Sequence, residues 1–217
     1  MTEFYGFKGY IFDLDGTLFE SMHVWTRIYG ETLAALGVGL PEDYHARVNH
    51  MSVGDGAEYT VRRFGLQITA EELIAEWRAR AAEEYGGKIG LKSYAAELLD
   101  ALKRGDKKIG IATALAESLA FPCLERNGIA GFFSSFTSVE EVNADKDKPD
   151  VYLAECAKLG LNPHECAVVE DSIVGIRGAA AGGFFTVGVY DAYSGGSVEE
   201  MRSACGLYVG SLRELLP

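Results

Sequence analysis

After nine residues the chain reads Tyr10-Ile11-Phe12-Asp13-Leu14-Asp15-Gly16-Thr17-Leu18, an apolar run set directly against two carboxylates. Tyr10 to Phe12 predicts a short buried strand of the kind found in parallel sheets. Residues two apart on a strand share a side, so Asp13 and Asp15 are expected to point together while Leu14 turns into packing. Gly16 permits a turn that a side chain would resist. Two like charges held at a strand end are unfavourable unless a cation or a shared proton relieves them. The plainer reading is a strand closing in a polar Asp-Gly turn. The rest of the chain has to choose between them.

The 217 residues suffice for a sizeable core in one domain or two closely linked ones. A net charge of −12 argues against a broad nucleic-acid-binding face. An acidic protein that handles an anion needs local positive charge, from a metal ion or a few placed Lys and Arg. Cys123, Cys156, Cys166 and Cys205 show no CxxC spacing, which predicts reduced structural thiols and no zinc site. Met1 to Gly9 lacks the basic and apolar regions of a signal peptide. No apolar run reaches the roughly 20 residues needed to span a bilayer. The expectation is a cytoplasmic monomer without nucleic-acid or membrane partners.

Beyond Thr17 the pattern turns helical. Trp25, Ile28, Tyr29, Leu33 and Leu36 recur at helical spacing up to Gly37. Ala57 to Phe64 predicts a second helix, and the capping box Thr69-Ala70-Glu71-Glu72 opens a third with Leu73, Trp77 and Ala81 on one face. No strand is expected from Glu20 to Tyr85, and Gly86-Gly87 with Gly90 reads as a hinge or linker. Helix and strand then alternate. Helices are expected at Tyr94–Lys103, after Thr113 to about Arg126 with Pro122 shortening or kinking it, at Asp150–Leu159 and at Ser172–Ala181. Strands are expected at Lys108–Ala112, within Phe133–Val139, and at Ala167–Val169, Phe185–Val189 and Leu207–Val209, with a short capped helix from Ser211. The fold class is α/β: a doubly wound parallel sheet formed by residues 1–18 and 89–217, with an all-helical cap inserted at 19–88.

Ligands of open parallel sheets bind beyond the carboxyl ends of the strands. Those ends carry Asp13 and Asp15, Thr113, and Glu170-Asp171, joined by Lys148 at the start of a helix. Two carboxylate clusters, a hydroxyl and an ammonium are what metal-assisted phosphoryl transfer uses. In this order they resemble the four motifs of the haloacid-dehalogenase-like (HAD) phosphohydrolases, along nearly the whole chain. Asp13-Leu14-Asp15-Gly16-Thr17 is similar to the first motif and Ile109-Gly110-Ile111-Ala112-Thr113 to the second. Lys148-Pro149-Asp150 is similar to the third; Lys146 competes for that role, and Pro149, suited to the first position of a helix, favours Lys148. Val168-Val169-Glu170-Asp171-Ser172, continuing to Ala179-Ala180, is similar to the fourth.

The resemblance implies a capped phosphatase acting on a small phosphate ester. Asp13 would be the nucleophile, and Asp15, held protonated by its neighbours, the acid and then the base. Thr113, the Ala114 N–H and Lys148 would bind the phosphoryl group. Mg²⁺ would sit on Asp13, the backbone carbonyl of Asp15, Glu170 and Asp171. The branch that resembles beta-phosphoglucomutase needs a cap His and a cap Arg, but Trp25 and Val53-Gly54 stand at those positions, so hydrolysis is expected over mutase chemistry. A signalling receiver with Asp13 as phospho-acceptor is the alternative from another class. Glu20, His23, Trp25, Asn49, His50, Arg78 and Arg80 are the candidates for setting specificity. P-loop, nucleophile-elbow and zinc motifs are absent.

Overall fold

Tyr10, Ile11 and Phe12 have no exposed surface, because strand β1 (Gly9–Phe12) runs through the interior of a six-stranded sheet. The computed structural model describes residues 4–48, 51–194 and 197–217. The other strands are β2 (Lys108–Thr113), β3 (Ser135–Ser138), β4 (Cys166–Glu170), β5 (Phe185–Val189) and β6 (Leu207–Val209). They pair in the order β3-β2-β1-β4-β5-β6, and every pairing is parallel. Alternate residues of the central strands feed two separate apolar clusters. Tyr10, Phe12, Ile109, Ile111 and Val169 join one; Ile11, Ala112 and Val168 join the other. A sheet covered on both faces needs such continuous apolar strands. The chain order reverses around β1, which places its carboxyl end, with those of β2 and β4, at a topological switch point.

The helices are α1 (Met22–Ala35), α2 (Tyr44–Val48), α3 (Val53–Phe64), α4 (Ala70–Gly87), α5 (Ala95–Arg104), α6 (Glu117–Arg126), α7 (Val139–Val142), α8 (Asp150–Lys158), α9 (Ile173–Ala181) and α10 (Val198–Ala204). Helices α1 to α4 are inserted between β1 and β2 as a cap. Among the described residues of the cap there is no strand, only isolated bridges from Phe19 to Asp15 and to Leu91. Thr69 and Glu72 form the expected capping box at the start of α4, and Leu73, Trp77 and Ala81 are buried. No described helix is long and apolar enough to cross a membrane. All four cysteines are free thiols.

Several local expectations shift. Helix α3 begins at Val53 instead of Ala57, because Ser52 accepts from the Asp55 N–H and caps it there. Helix α6 does end at Arg126 as expected, running through Pro122. Pro122 and Ser118 are both exposed, so water can satisfy the Ser118 carbonyl left without its helical donor. Gly86 and Gly87 belong to the last turn of α4 and not to a linker. Strand β3 ends at Ser138, whose side chain accepts from the Glu141 N–H and starts α7. The short helices α2, α7 and α10 carry too few periodic positions to be read from sequence.

Helix α8 is fixed beneath β2 and β3 by a buried carboxylate. Glu155 accepts hydrogen bonds from Ser135 Oγ and, at 2.7 Å, from Thr137 Oγ1. A Cβ at Gly110 would lie 2.0 Å from Glu155 Oε1, so only glycine on β2 leaves room for this group. Burial raises the Glu155 carboxyl above its ordinary range, against the pull of its two hydroxyl donors. A carboxyl raised in the folded state contributes most below its unfolded value, and that contribution is lost as the pH climbs through the folded value. The stability margin of the wild type over Glu155→Gln is therefore expected to narrow between pH 5 and pH 8. Urea midpoints of the two proteins at both pH values check this, and a widening margin would contradict it.

Candidate active site

Asp13 follows the last residue of β1, and its N–H still donates to the Val169 carbonyl at 3.0 Å, in register with β4. That bond fixes Asp13 beside Glu170 and Asp171 at the end of β4. The three acids are buried, and one carboxylate oxygen from each lies within 4.8 Å of the others. Gly16 turns the chain with φ +78°, and a Cβ there would stand 2.1 Å from Asp171 Oδ2, so glycine is needed both for the turn and for the close approach. Thr17 Oγ1 donates to Asp171 Oδ1 at 3.2 Å, and Ser194 Oγ donates to Oδ2. Thr113 closes β2 with its hydroxyl buried, accepting from the Leu115 N–H at 3.1 Å.

The ammonium that reaches this cluster is Lys146, not Lys148. Lys146 Nζ lies 2.5 Å from Asp13 Oδ1 and 2.5 Å from Glu170 Oε1, with the side chain almost fully enclosed. Lys148 is exposed and borders an outer hollow with Ser52 and Asp145. Pro149 does begin α8, as its N-cap, but the chain reaches it through a turn closed by the Lys148 N–H on the Asp145 carbonyl. That turn directs residue 146 inward and residue 148 out. The loop is also seated on α9, where a Cβ at Gly178 would lie 2.1 Å from the Lys146 carbonyl oxygen. No local pattern in Asp145-Lys146-Asp147-Lys148 marks which lysine turns in.

Asp15 lies beyond the end of β1 at Phe12 and lines the same hollow as Asp13. Its carboxylate is held from the cap side. Ser21 Oγ donates to Oδ1 at 2.6 Å, Tyr85 OH donates to the same oxygen, and Trp25 Nε1 lies 3.4 Å from Oδ2. Trp25 Nε1 also donates to Tyr85 OH at 2.7 Å. Ser21 and Tyr85, like Tyr152, which donates to Glu170 Oε1 at 2.8 Å, carry no sequence signal for this role. One hollow is lined by Asp13, Asp15, Thr113, Ala114, Glu170 and Asp171, together with Lys146. Of the specificity candidates, Trp25 and Arg78 line a larger cavity beside it, whereas Glu20, His23 and Arg80 do not. Asn49 and His50 lie outside the described residues.

A model of the haloacid dehalogenase-like hydrolases matches residues 7–183. The chain belongs to that family. It is 31% identical over 185 residues to hexitol phosphatase A of Escherichia coli K12, covering 84% of this chain and 82% of that protein. It is 27% identical to phosphoglycolate phosphatase of Salmonella typhi, covering 100% of this chain and 94% of that protein. The fold matches the crystal structure of beta-phosphoglucomutase from Clostridium difficile with a TM-score of 0.82 at 18% identity, over 96% of this chain and 93% of that one. This HAD hydrolase is by class a phosphoric monoester hydrolase.

The charge distribution of the HAD site suits a bound cation. Burial pushes the Asp13 carboxyl up to about 7, with Lys146 pulling it down and Glu170 adding to the rise. Burial, then Glu170 and Asp13, hold Asp171 well above the ordinary range. Burial alone would lower Lys146, but Asp13 and Glu170 more than offset it and keep the ammonium charged. One ammonium against three clustered carboxylates leaves excess negative charge, and every candidate ligand atom is an oxygen. That donor set fits a hard divalent cation such as Mg²⁺. Asp15 is raised chiefly by burial, while Ser21, Tyr85 and Trp25 oppose the rise, so its solvent-poor setting and not its neighbours favours the protonated form.

Removing the Lys146 ammonium should cost what loss of one preorganised charge donor costs, on the order of 10²–10³ in kcat. Lys146→Met is therefore expected to lose activity on that scale. Lys148→Met should change it by less than about fivefold, as for an exposed charge. Steady-state phosphate release by the two purified variants separates them, and a reversed order would restore Lys148 to the site.

Proposed function

We propose that this enzyme is an Mg²⁺-dependent phosphatase that hydrolyses a small phosphorylated metabolite through an aspartyl phosphate on Asp13. Sugar phosphates are the substrate class the resemblance implies. The observation that carries the reading is that Asp13 and Asp15 face one hollow, with a buried ammonium on the first and a solvent-poor carboxyl on the second. Membership of a hydrolase family removes the support for a signalling receiver. Residues 19–88 would act as the cap over a core of 1–18 and 89–217, and the four free thiols suit a reducing cytoplasm.

Asp13, Glu170 and Asp171, with the Asp15 carbonyl, would hold Mg²⁺, which when bound supplies positive charge to the phosphoryl oxygens and favours ionised Asp13. Asp13 attacks phosphorus in line with the leaving oxygen, and the phosphorus–oxygen ester bond breaks. Asp15 gives its proton to the departing alkoxide. The Thr113 hydroxyl and the Ala114 N–H meet the phosphoryl oxygens, and Lys146 steadies the charge around Asp13. Asp15, now ionised, takes a proton from water as that water attacks the aspartyl phosphate, releasing phosphate and restoring Asp13. Trp25 stands where the mutase resemblance requires a histidine. Its indole N–H can donate to Asp15 but cannot carry a proton between two sugar hydroxyls.

Asp13→Asn should lower phosphate release by about 10⁴-fold or more, the scale for loss of a nucleophile. EDTA should abolish wild-type activity and excess Mg²⁺ should restore it. Hexose phosphates incubated with the enzyme should give inorganic phosphate faster than isomerised sugar phosphate. Faster isomerisation, followed by NMR of the phosphorus, would establish the mutase instead.

A further inference from the structure

The loop that carries Lys146 into the catalytic hollow also touches the cap. Ser52, the residue that caps α3, donates its backbone N–H to Asp145 Oδ1 at 2.7 Å, 93 positions away along the chain. The Ser52 hydroxyl is engaged separately, accepting from the Asp55 N–H at 3.1 Å and donating to Asp55 Oδ2 at 2.7 Å. Asp145 is thus bound by a backbone donor at the start of a cap helix, where partial positive charge favours a carboxylate. A second contact reaches the same stretch of chain: Arg78 of α4 pairs with Glu140 of α7 at 2.9 Å. That pair is exposed on both sides and contributes little. The Asp145 bond is half-buried.

On its inner side the loop is fixed. Lys146 Nζ meets Asp13 and Glu170, and the Lys146 carbonyl oxygen rests on α9, where a Cβ at Gly178 would lie 2.1 Å from it. The turn is closed by the Lys148 N–H on the Asp145 carbonyl at 3.1 Å. Asp145 therefore stands between the backbone of α3 outside and the buried ammonium one residue further on. A shift of α3 that pulls on Asp145 is passed to Lys146 through this closed turn.

The contact does not depend on charge. Burial raises the Asp145 carboxyl, the Ser52 N–H opposes the rise, and Asp55 and Asp147 add to it. A neutral amide oxygen at the same place can accept the same bond without the repulsion from its acidic neighbours.

Resting on the phosphatase reading and on Lys146 as the charge donor at Asp13, we infer that Asp145 is a positioning residue. Its bond to the Ser52 N–H transmits the seating of the cap to the Lys146 ammonium, so the charge is in place when the cap is. Misplacing a reacting group by about 1 Å can cost roughly 10²-fold in rate, and loss of one anchor with the others intact should cost part of that.

The test is a double-mutant cycle on kcat with Mg²⁺-loaded enzyme and p-nitrophenyl phosphate. The leaving oxygen of this ester needs little protonation, so its rate reports the phosphoryl side of the site and not Asp15. Asp145→Ala should lower kcat about tenfold with KM changed less than about twofold, as for an interaction that matters only in the transition state. Asp145→Asn, which keeps an acceptor oxygen, should stay within about threefold of wild type. In a Lys146→Met background, Asp145→Ala should change kcat by less than about twofold, because the group it positions is gone. An equal loss in both backgrounds overturns the route through Lys146. An Asn variant as poor as the Ala variant overturns the hydrogen bond as the link, and wild-type kcat in Asp145→Ala overturns the positioning role. Each of these results leaves the phosphatase standing, whereas no phosphate release by the wild type overturns that reading and the inference with it.

Discussion

A single ammonium, enclosed between Asp13 and Glu170, holds the centre of this protein together. Lys146 has almost no exposed surface, and the two carboxylates that face it more than offset the effect of burial on its charge. Removing either partner of such a buried pair leaves an uncompensated charge, which costs more than the pair itself contributes. The carboxylates have their own supports. Asp13 is set by the backbone register of β1 on β4, and Glu170 by Tyr152 of α8 and by the N–H of Ser172. Sheet, helix and loop thus converge on one charge, and the fold fixes Asp13, the proposed nucleophile, before any substrate arrives.

Asp15, the proposed acid and base, is supported from the cap side. Asp15 belongs to the core by sequence, yet its hydrogen bonds come from Ser21, Trp25 and Tyr85, at the beginning and end of the helical insert. Helices α1 and α4, which help line the cavity beside the hollow, therefore also hold Asp15, the proposed acid. In the proposed reaction, exclusion of water and placement of the proton would both involve Trp25, which touches Asp15 and lines the cavity. Lids that close over reacting groups gain catalytic effect by both routes.

Most of the architecture was legible in the chain. The apolar runs of β1, β4, β5 and β6 stand within a residue or so of where periodicity puts them, and for β1 and β4 the reason is that strands buried on both faces must be continuously apolar. The helices opened by Thr69 and Ser172 start at their caps because a side-chain oxygen is the cheapest partner for an exposed N–H at that point. Misreadings fell where local rules compete. Gly86-Gly87 stays helical because packing of α4 outweighs glycine's low propensity.

The sequence by itself determined the parallel sheet, the helical insert and the gathering of Asp13, Thr113, Glu170 and Asp171 at strand ends, since strand direction and parallel pairing leave those ends nowhere else to go. Only the tertiary structure decided that Lys146 and not Lys148 enters the site, and that Asp15 is clasped by Trp25 and Tyr85. Both outcomes depend on a loop or cap contact made across a long stretch of chain. Neighbouring residues say little about which of two lysines a turn will face inward, whereas the packing of that loop against Gly178 of α9 leaves one choice.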